Sequence, residues 1–282
     1  MRTWPAVAEP ERSLPIAVFD SGVGGLTVLH ECLVSLPHED FVYVGDTARF
    51  PYGGRTPKEI EAFALELAGA LVAEGAKLLV VACNAATSAA LPALRRELEG
   101  RVPVVGVIAP ESRVAAAATR NGRLGLLATP ATVDSGAYER ALAAAAPEAT
   151  LTPIACPDLA SLIQEGEVDQ RVVDSVERAC APLKAAEVDT VILGCTHYPL
   201  VRPIIQRAMG RGVAIAESGQ AIADDVEEAL RARGLEADPE RRGEYRFVCS
   251  GDPDEFKRLG TRFLQMPLGE VRRIDVATEA AA

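Results

Sequence analysis

Short apolar runs alternate with helical patterns along most of this chain, and this alternation constrains its fold more than any other feature. The runs lie at 16–19, 41–44, 78–82, 102–108, 123–128, 191–193, 213–216 and 245–250. Continuous Val, Ile and Leu runs bounded by Gly or polar residues are typical of parallel strands that are buried on both faces. Strands that alternate with helices form βαβ units. The pattern therefore predicts an α/β fold.

Two of the apolar runs end in a cysteine with polar neighbours. The run 78–82 leads to Cys83, and the run 191–193 leads through Gly194 to Cys195. In open α/β sheets ligands bind beyond the carboxyl ends of the strands, so both thiols are predicted to lie at a ligand site. A lone cysteine is more often a small apolar filler of the core. Two cysteines in matching contexts favour a reaction that needs two opposed acid–base groups.

The two halves of the chain repeat one order of features. The interval from Asp20 to Cys83 nearly equals the interval from Thr129 to Cys195, and each holds a strand, a hydroxyl-bearing turn, helices and a second strand. This repeat predicts two pseudo-symmetric parallel-sheet lobes with the active site between them. We expect a flexible tail at 1–15, a first lobe from 16–104 with 217–282, and a second lobe from 105–216.

Composition limits the classes of function. The chain has 282 residues, 49% of them hydrophobic, which is enough for two cores. Its net charge is −11 with acidic and basic residues interspersed, which argues against nucleic-acid binding and indicates a cytoplasmic protein. No apolar stretch reaches the roughly 18 residues of a membrane span. The six scattered cysteines form no CxxC pair and no ligand cluster with histidine, so we expect reduced thiols and no metal.

Two glycine-rich segments are candidates for ligand binding. The turn at 21–25 follows the first strand and opens a helix, where free backbone N–H groups bind anions. Its spacing matches neither a dinucleotide fingerprint nor a Walker loop, and a plain strand-to-helix turn is the alternative. The segment 45–54 suits a ligand, although its Pro-Tyr-Gly is also ordinary turn chemistry.

Two thiols on opposite faces of a ligand allow one to remove a proton while the other donates one. An unperturbed cysteine has a pKa of about 8.5, so each thiol needs a neighbour that tunes it. Asp20 is the candidate for Cys83, and His197 for Cys195. His197 lies two positions from Cys195, so its ring is alternatively a structural group on the other face of the chain.

Five segments together resemble the glutamate racemases of the cofactor-independent aspartate/glutamate racemase family. They are DSGVGGL at 20–26, GDTARFPYG at 45–53, ACN at 82–84, ATPATV at 128–133 and LGCTHYPL at 193–200. They follow the family's order, and the resemblance covers about 16–264.

The resemblance implies interconversion of L- and D-glutamate without a cofactor, which supplies D-glutamate for peptidoglycan. It implies that Cys83 acts on the α-proton of D-glutamate and Cys195 on that of L-glutamate, assisted by Asp20 and His197 respectively. It also implies that the lobes close over the substrate and that the protein is a homodimer. The matching substrate-binding positions are Asp20, Ser21, Pro51, Tyr52, Gly53, Asn84, Ala85, Thr129, Thr132, Thr196 and His197.

Two positions depart from the family pattern. Ala85 stands where a hydroxyl residue is usual, and Gln164 stands where many members carry an assisting glutamate, which is absent here or replaced by Glu165. A racemase of aspartate or of a hydantoin would share the cysteines and differ in its pocket. The pattern is also compatible with a thiol redox or acyl-transfer protein and with a non-catalytic binding protein. A redox role predicts that Cys83 and Cys195 readily form a disulfide.

Overall fold

Strands and helices alternate in the computed structural model, which describes residues 12–166 and 168–277. The strands are β1 (Ile16–Asp20), β2 (Phe41–Gly45), β3 (Leu78–Val81), β4 (Val104–Gly106), β5 (Arg123–Ala128), β6 (Thr150–Ala155), β7 (Thr190–Gly194), β8 (Ala214–Ile215), β9 (Tyr245–Cys249) and β10 (Val271–Arg273). The α-helices are α1 (Leu26–Ser35), α2 (Pro57–Ala73), α3 (Asn84–Glu97), α4 (Ile108–Ala118), α5 (Pro130–Asp134), α6 (Ala137–Ala145), α7 (Leu159–Gln164), α8 (Gln170–Ala185), α9 (Arg202–Met209), α10 (Gly219–Arg231) and α11 (Pro253–Leu264).

The strands form two parallel sheets of related topology. The first has the order β10-β9-β2-β1-β3-β4 and the second the order β6-β5-β7-β8. Every described strand pair is parallel. The segment β2-β1-β3-β4 of the first sheet thus corresponds to the whole second sheet. The predicted fold class, two pseudo-symmetric α/β lobes, is confirmed.

The central strand β1 shows why its sequence is apolar at every position. It pairs with β2 on one side and β3 on the other. Ile16 and Val18 enter one hydrophobic core, while Ala17 and Phe19 enter another. A strand covered on both faces needs a continuous apolar run rather than an alternating one.

Both ends of the described chain contribute to the first sheet. β9 and β10 extend it beyond β2, although they follow the whole second sheet in sequence. The predicted lobe boundary at 104/105 falls inside β4, which belongs to the first sheet. Of the predicted tail at 1–15, residues 1–11 lie outside the described residues. The backbone carbonyl oxygen of Arg12 accepts a hydrogen bond from Lys77 Nζ at 2.7 Å.

The strand prediction was wrong in three places. The predicted strand 102–108 is too long, because β4 ends at Gly106 and Ile108 already begins α4. An apolar run cannot by itself separate a buried strand from the buried start of a helix. β6 was missed because it is a half-buried edge strand that contains Pro153. β10 was missed because two of its three residues are arginines.

No described helix is both long and apolar enough to cross a membrane.

Candidate active site

A cleft lies between the two lobes, at the carboxyl ends of β3 and β7. Most of the residues predicted from the sequence line it, which places the five separate motifs at one location. Its lining residues are Ser21, Phe50, Pro51, Tyr52, Gly53, Cys83, Asn84, Ala85, Thr129, Ala160, Gly194, Cys195, Thr196 and His197.

Cys83 enters the cleft from the first lobe. It follows β3 and is the N-cap of α3, where its Sγ accepts a hydrogen bond from the backbone N–H of Ala86 at 3.4 Å. Its Sγ also lies 3.7 Å from Ser21 Oγ. Burial, and then the nearby charge of Asp20, raise the pKa of Cys83 to about 12. The thiol is therefore protonated near neutral pH.

Cys195 enters the cleft from the second lobe. It follows β7, which holds the same place in the second sheet as β3 in the first. The side chains of Cys83 and Cys195 are 5% and 8% exposed, respectively. Burial raises the pKa of Cys195 well above its ordinary value, and the charge of Cys83 adds to this rise. The pseudo-symmetry of the fold thus brings one buried thiol from each lobe to the same cleft.

His197 faces Cys195 rather than the opposite side of the chain. Its Nδ1 lies 3.9 Å from Cys195 Sγ, and its Nε2 lies 3.0 Å from Gln164 Oε1. An amide oxygen only accepts, so Nε2 carries the hydrogen and Nδ1 presents a lone pair to the thiol. The ring packs between Phe50 and Phe263, with centroids 5.4 and 5.1 Å away. Burial lowers the pKa of His197 to about 3, so the ring is neutral.

Gln164 occupies the place beside His197, and Glu165 does not substitute for the missing carboxylate. Glu165 is exposed and pairs with Arg171 at 2.7 Å. The partner of the histidine is therefore a neutral amide in this chain.

Asp20 lies fully buried behind the lining residues and joins the two lobes. One carboxylate oxygen accepts from the backbone N–H of Gly22 at 2.8 Å, and the other accepts from Thr196 Oγ at 3.2 Å. Burial raises the pKa of Asp20 to about 6, against the hydrogen bonds that lower it. This carboxyl group therefore titrates close to the neutral range.

The lobes also touch where Gly53 meets Thr129. A Cβ atom on Gly53 would lie 2.6 Å from Thr129 Cβ, so the loop of the first lobe needs glycine at this close approach. Thr129 Oγ1 lies 3.1 Å from the hydroxyl of Thr132, which stands behind the lining residues. Tyr52 is held by its hydroxyl group, which donates to Asp46 at 2.5 Å. Thr129 and the backbone of Gly53 thus line this end of the cleft.

Arg49, the candidate cation of the sequence motifs, is engaged elsewhere. Its Nε donates to Asp46 and its Nη1 to Glu66, both at 2.6 Å, and its guanidinium lies 4.3 Å from the centre of the Phe63 ring. Among the described residues that line the cleft, no lysine or arginine occurs. A carboxylate ligand would therefore be held by neutral donors.

Among residues 12–166 and 168–277, no group of three or more His, Cys, Asp or Glu side chains is arranged to hold a metal ion. The six cysteines are all buried and free.

Sequence reasoning missed several residues around the cleft. Phe50, Ala160 and Gly194 line it, and Glu111 and Tyr138 lie behind Asn84. Gly194 precedes Cys195 and Phe50 precedes Pro51, so their neighbours in the sequence could have indicated that they line the cleft. The remaining three come from α4, α6 and α7, and only tertiary packing brings them to the cleft.

The fold and the cleft define a class of two-lobed α/β proteins with a thiol from each lobe facing one interlobe site. Residues 27–226 match the family described as Asp/Glu/Hydantoin racemase, and the chain belongs to this family. The predicted enzyme class is thereby confirmed, since racemases are isomerases.

Comparison with known proteins supports the resemblance found in the motifs. A glutamate racemase from Beutenbergia cavernae is 47% identical over 268 residues, which cover 91% of each chain. The crystal structure of a glutamate racemase from Bacillus anthracis matches with a TM-score of 0.87 at 36% identity, covering 95% of this chain and 98% of that one. A Francisella tularensis glutamate racemase in complex with D-glutamate matches with a TM-score of 0.84 at 29% identity, covering 94% and 98%.

Proposed function

We propose that this protein interconverts L- and D-glutamate by a two-base mechanism in which Cys83 and Cys195 act from opposite faces of the substrate. The observation that carries the proposal is the placement of two buried thiols at equivalent strand ends, both lining one interlobe cleft. The glutamate racemases among the relatives support glutamate as the substrate.

The proton movements balance in both directions. The Cys195 thiolate takes the α-proton of L-glutamate, and the Cys83 thiol gives its proton to the opposite face of the α-carbon. D-Glutamate leaves, and the site then holds a Cys195 thiol and a Cys83 thiolate. This is the state that accepts D-glutamate for the reverse reaction, so no cofactor is needed to balance either direction.

The buried groups explain how each thiolate forms. An α-ammonium group within about 4–6 Å favours the charged form of a thiol, which offsets the burial that raises both cysteine pKa values. His197 Nδ1 offers a lone pair toward Cys195 Sγ at 3.9 Å. The backbone N–H of Ala86 donates to Cys83 Sγ and lowers the pKa of this thiol, whereas the negative charge of Asp20 raises it. Asp20, with a pKa of about 6, would therefore assist Cys83 as a base that accepts its proton. In this proposal Asp20 and His197 assist the two thiols.

Neutral groups would bind the substrate. The proposed binding set comprises hydroxyl groups, an amide and backbone N–H groups, because cationic side chains do not line the described cleft. Its members are Asp20, Ser21, Pro51, Tyr52, Gly53, Asn84, Ala85, Thr129, Thr132, Thr196 and His197. Ala85 offers its backbone only, so one donor of the family pattern is replaced.

The test follows α-deuterium uptake and optical rotation with each enantiomer in D2O, without added cofactor. In a two-base reaction the first D-glutamate formed from L-glutamate carries deuterium, while the remaining L-glutamate keeps its α-proton. Cys83→Ser and Cys195→Ser should each lose racemisation by at least about 100-fold. Cys180→Ala, at a buried cysteine of α8 away from the cleft, is the matched control and should remain active.

Product that retains the substrate proton would refute the two-base mechanism. Turnover of aspartate or a hydantoin in place of glutamate would reassign the substrate, and inactivity with all of them would refute racemisation.

The wider proposal is that the protein supplies D-glutamate for peptidoglycan in the cytoplasm, as a homodimer. It is supported by the family membership and by the relatives named glutamate racemase. Growth of a D-glutamate-requiring bacterial strain on expression of this chain tests the supply, and sedimentation of the purified protein tests the dimer. If the protein is active as a racemase but does not restore growth of this strain, the proposed role in supplying D-glutamate is refuted.

A further inference from the structure

The side chain of Asn84 is held from behind by two buried groups. Its Nδ2 lies 3.2 and 3.0 Å from the two carboxylate oxygens of Glu111 and 2.8 Å from the hydroxyl oxygen of Tyr138. The Tyr138 hydroxyl in turn donates to Glu111. The three side chains are 3%, 6% and 0% exposed, so water does not compete for these bonds.

These bonds cross from one lobe to the other. Asn84 is the first residue of α3, directly after Cys83, in the first lobe. Glu111 lies on α4 and Tyr138 on α6, and these two helices share a core with β5 and β7 of the second sheet. The cluster therefore ties the helix that begins at one thiol to the lobe that carries the other.

We infer that Glu111 is a positioning residue, which turns the Asn84 amide so that Nδ2 faces the second lobe and Oδ1 is offered to the substrate. A side-chain amide has two ends of nearly equal shape, and a carboxylate oxygen accepts only from the Nδ2 end. The Oδ1 acceptor suits the α-ammonium group of an amino acid. This inference rests on the proposed function and deepens it by assigning a recognition group.

The arrangement persists in either protonation state of Glu111. Burial raises the pKa of Glu111 to about 8, against the hydrogen bonds from Tyr138 and Asn84 that lower it. The neutral carboxyl group still keeps a carbonyl oxygen that accepts from Asn84 Nδ2. A glutamine at this position would keep the same acceptor, whereas an apolar side chain of similar length would remove it.

The kinetic test compares Glu111→Met with Glu111→Gln, each normalised to the folded fraction. Glu111→Met should raise KM and lower kcat/KM by about 10- to 100-fold, because a misplaced substrate-binding group costs rate of this order. Glu111→Gln should stay within a few-fold of wild type. Ser112→Ala is the matched control: Ser112 is buried on the same helix and bonds the carbonyl oxygen of Ile108 at 2.9 Å. If Glu111 only stabilises the fold, Glu111→Met should lower the folded fraction and leave KM unchanged. That result would overturn the inference.

A double-mutant cycle tests whether Glu111 acts through Asn84. In an Asn84→Ala background, Glu111→Met should cause no further loss of kcat/KM, whereas an additive loss would overturn the inference. If Glu111→Met does not fold, a double variant that exchanges the donor and the acceptor of this hydrogen bond is the test. Asn84→Asp removes the Nδ2 donor and places two carboxyl groups face to face, so it should lose activity. Adding Glu111→Gln supplies an amide donor from the opposite side and should restore the activity. An absence of restoration would count against the inference.

The two proposals fail differently. Wild-type protein that racemises neither glutamate enantiomer refutes the proposed function. Active wild-type protein with an unaffected Glu111→Met variant refutes only the role of Glu111.

Discussion

Replacing Gln164 with glutamate should raise the basicity of His197. The amide oxygen of Gln164 lies 3.0 Å from His197 Nε2, so a carboxylate in the same rotamer would hydrogen-bond the imidazolium form directly. Two unit charges about 4 Å apart attract by about 4 kcal/mol at an effective dielectric constant of about 20. At about 1.4 kcal/mol per pKa unit this corresponds to nearly three pKa units. Partial burial of the new carboxylate removes part of this gain, so we expect a rise of about 1 to 3 pKa units.

The measurement is an NMR titration of the His197 ring from acid to neutral pH. The pKa of His197 is about 3 because burial disfavours its charged form, so its ring signal should be constant through the neutral range in wild type. In Gln164→Glu the titration should move to roughly pH 4–6. The chain has 3 histidines, and the signal of His38, whose Nδ1 bonds the carbonyl oxygen of Arg241, serves as the internal reference.

The matched control is Gln164→Met, which fills the same space without an acceptor or a charge. It should not raise the pKa of His197. An unchanged His197 titration in Gln164→Glu, or an equal rise in Gln164→Met, would refute the reasoning. Kinetics supply an internal check: the enantiomers have equal free energies, so any change in kcat/KM must be the same in both directions.

Two further predictions concern the end of β1 and the turn that follows it. Asp20 has a pKa raised by burial from 3.8 to about 6, so kcat/KM should fall as the pH drops through about 6, and Asp20→Asn should remove this acid limb. The folded state binds this proton more tightly than the unfolded state does. Urea titrations should therefore show that the contribution of Asp20 to the free energy of unfolding falls as the pH rises from 3.8 to about 6. A rise in that contribution over the same pH range would contradict the assignment. Gly24→Ala should destabilise the protein by about 1 to 3 kcal/mol in urea unfolding, since the new Cβ would overlap Thr196 Oγ1 and His197 Nδ1. Gly54→Ala, where a Cβ meets nothing within 4 Å, should be nearly neutral, and equal effects of the two substitutions would refute the packing argument.

The α/β class and the meeting of the motifs were predictable because they depend on local patterns. A strand covered on both faces must be apolar throughout, as in β1, and parallel strands place their carboxyl ends at one edge. The repeat of strand, turn, helices and strand therefore located Cys83 and Cys195 in one cleft. The edge strands β6 and β10 lack this signature, because β6 is only half-buried and β10 contains two arginines, and both were missed for that reason.

The partners of the site residues were decided only by the tertiary structure. The sequence left open whether His197 faces Cys195, and it placed no residue behind Asn84. In the fold, Gln164 from α7 sets the orientation of His197, and Glu111 from α4 holds the amide of Asn84.

The physical reason lies in the range of the interactions. Hydrophobic periodicity and turn chemistry act between neighbours in the chain. The sequence by itself therefore determined the α/β class, the positions of the apolar strands along the chain and the two strand-end thiols, but not the strands β6 and β10. Hydrogen bonds between buried side chains join residues far apart in the chain, as Asp20 and Thr196 show across the two lobes. The tertiary structure alone decided these pairings, because they form only when both lobes have packed and excluded water.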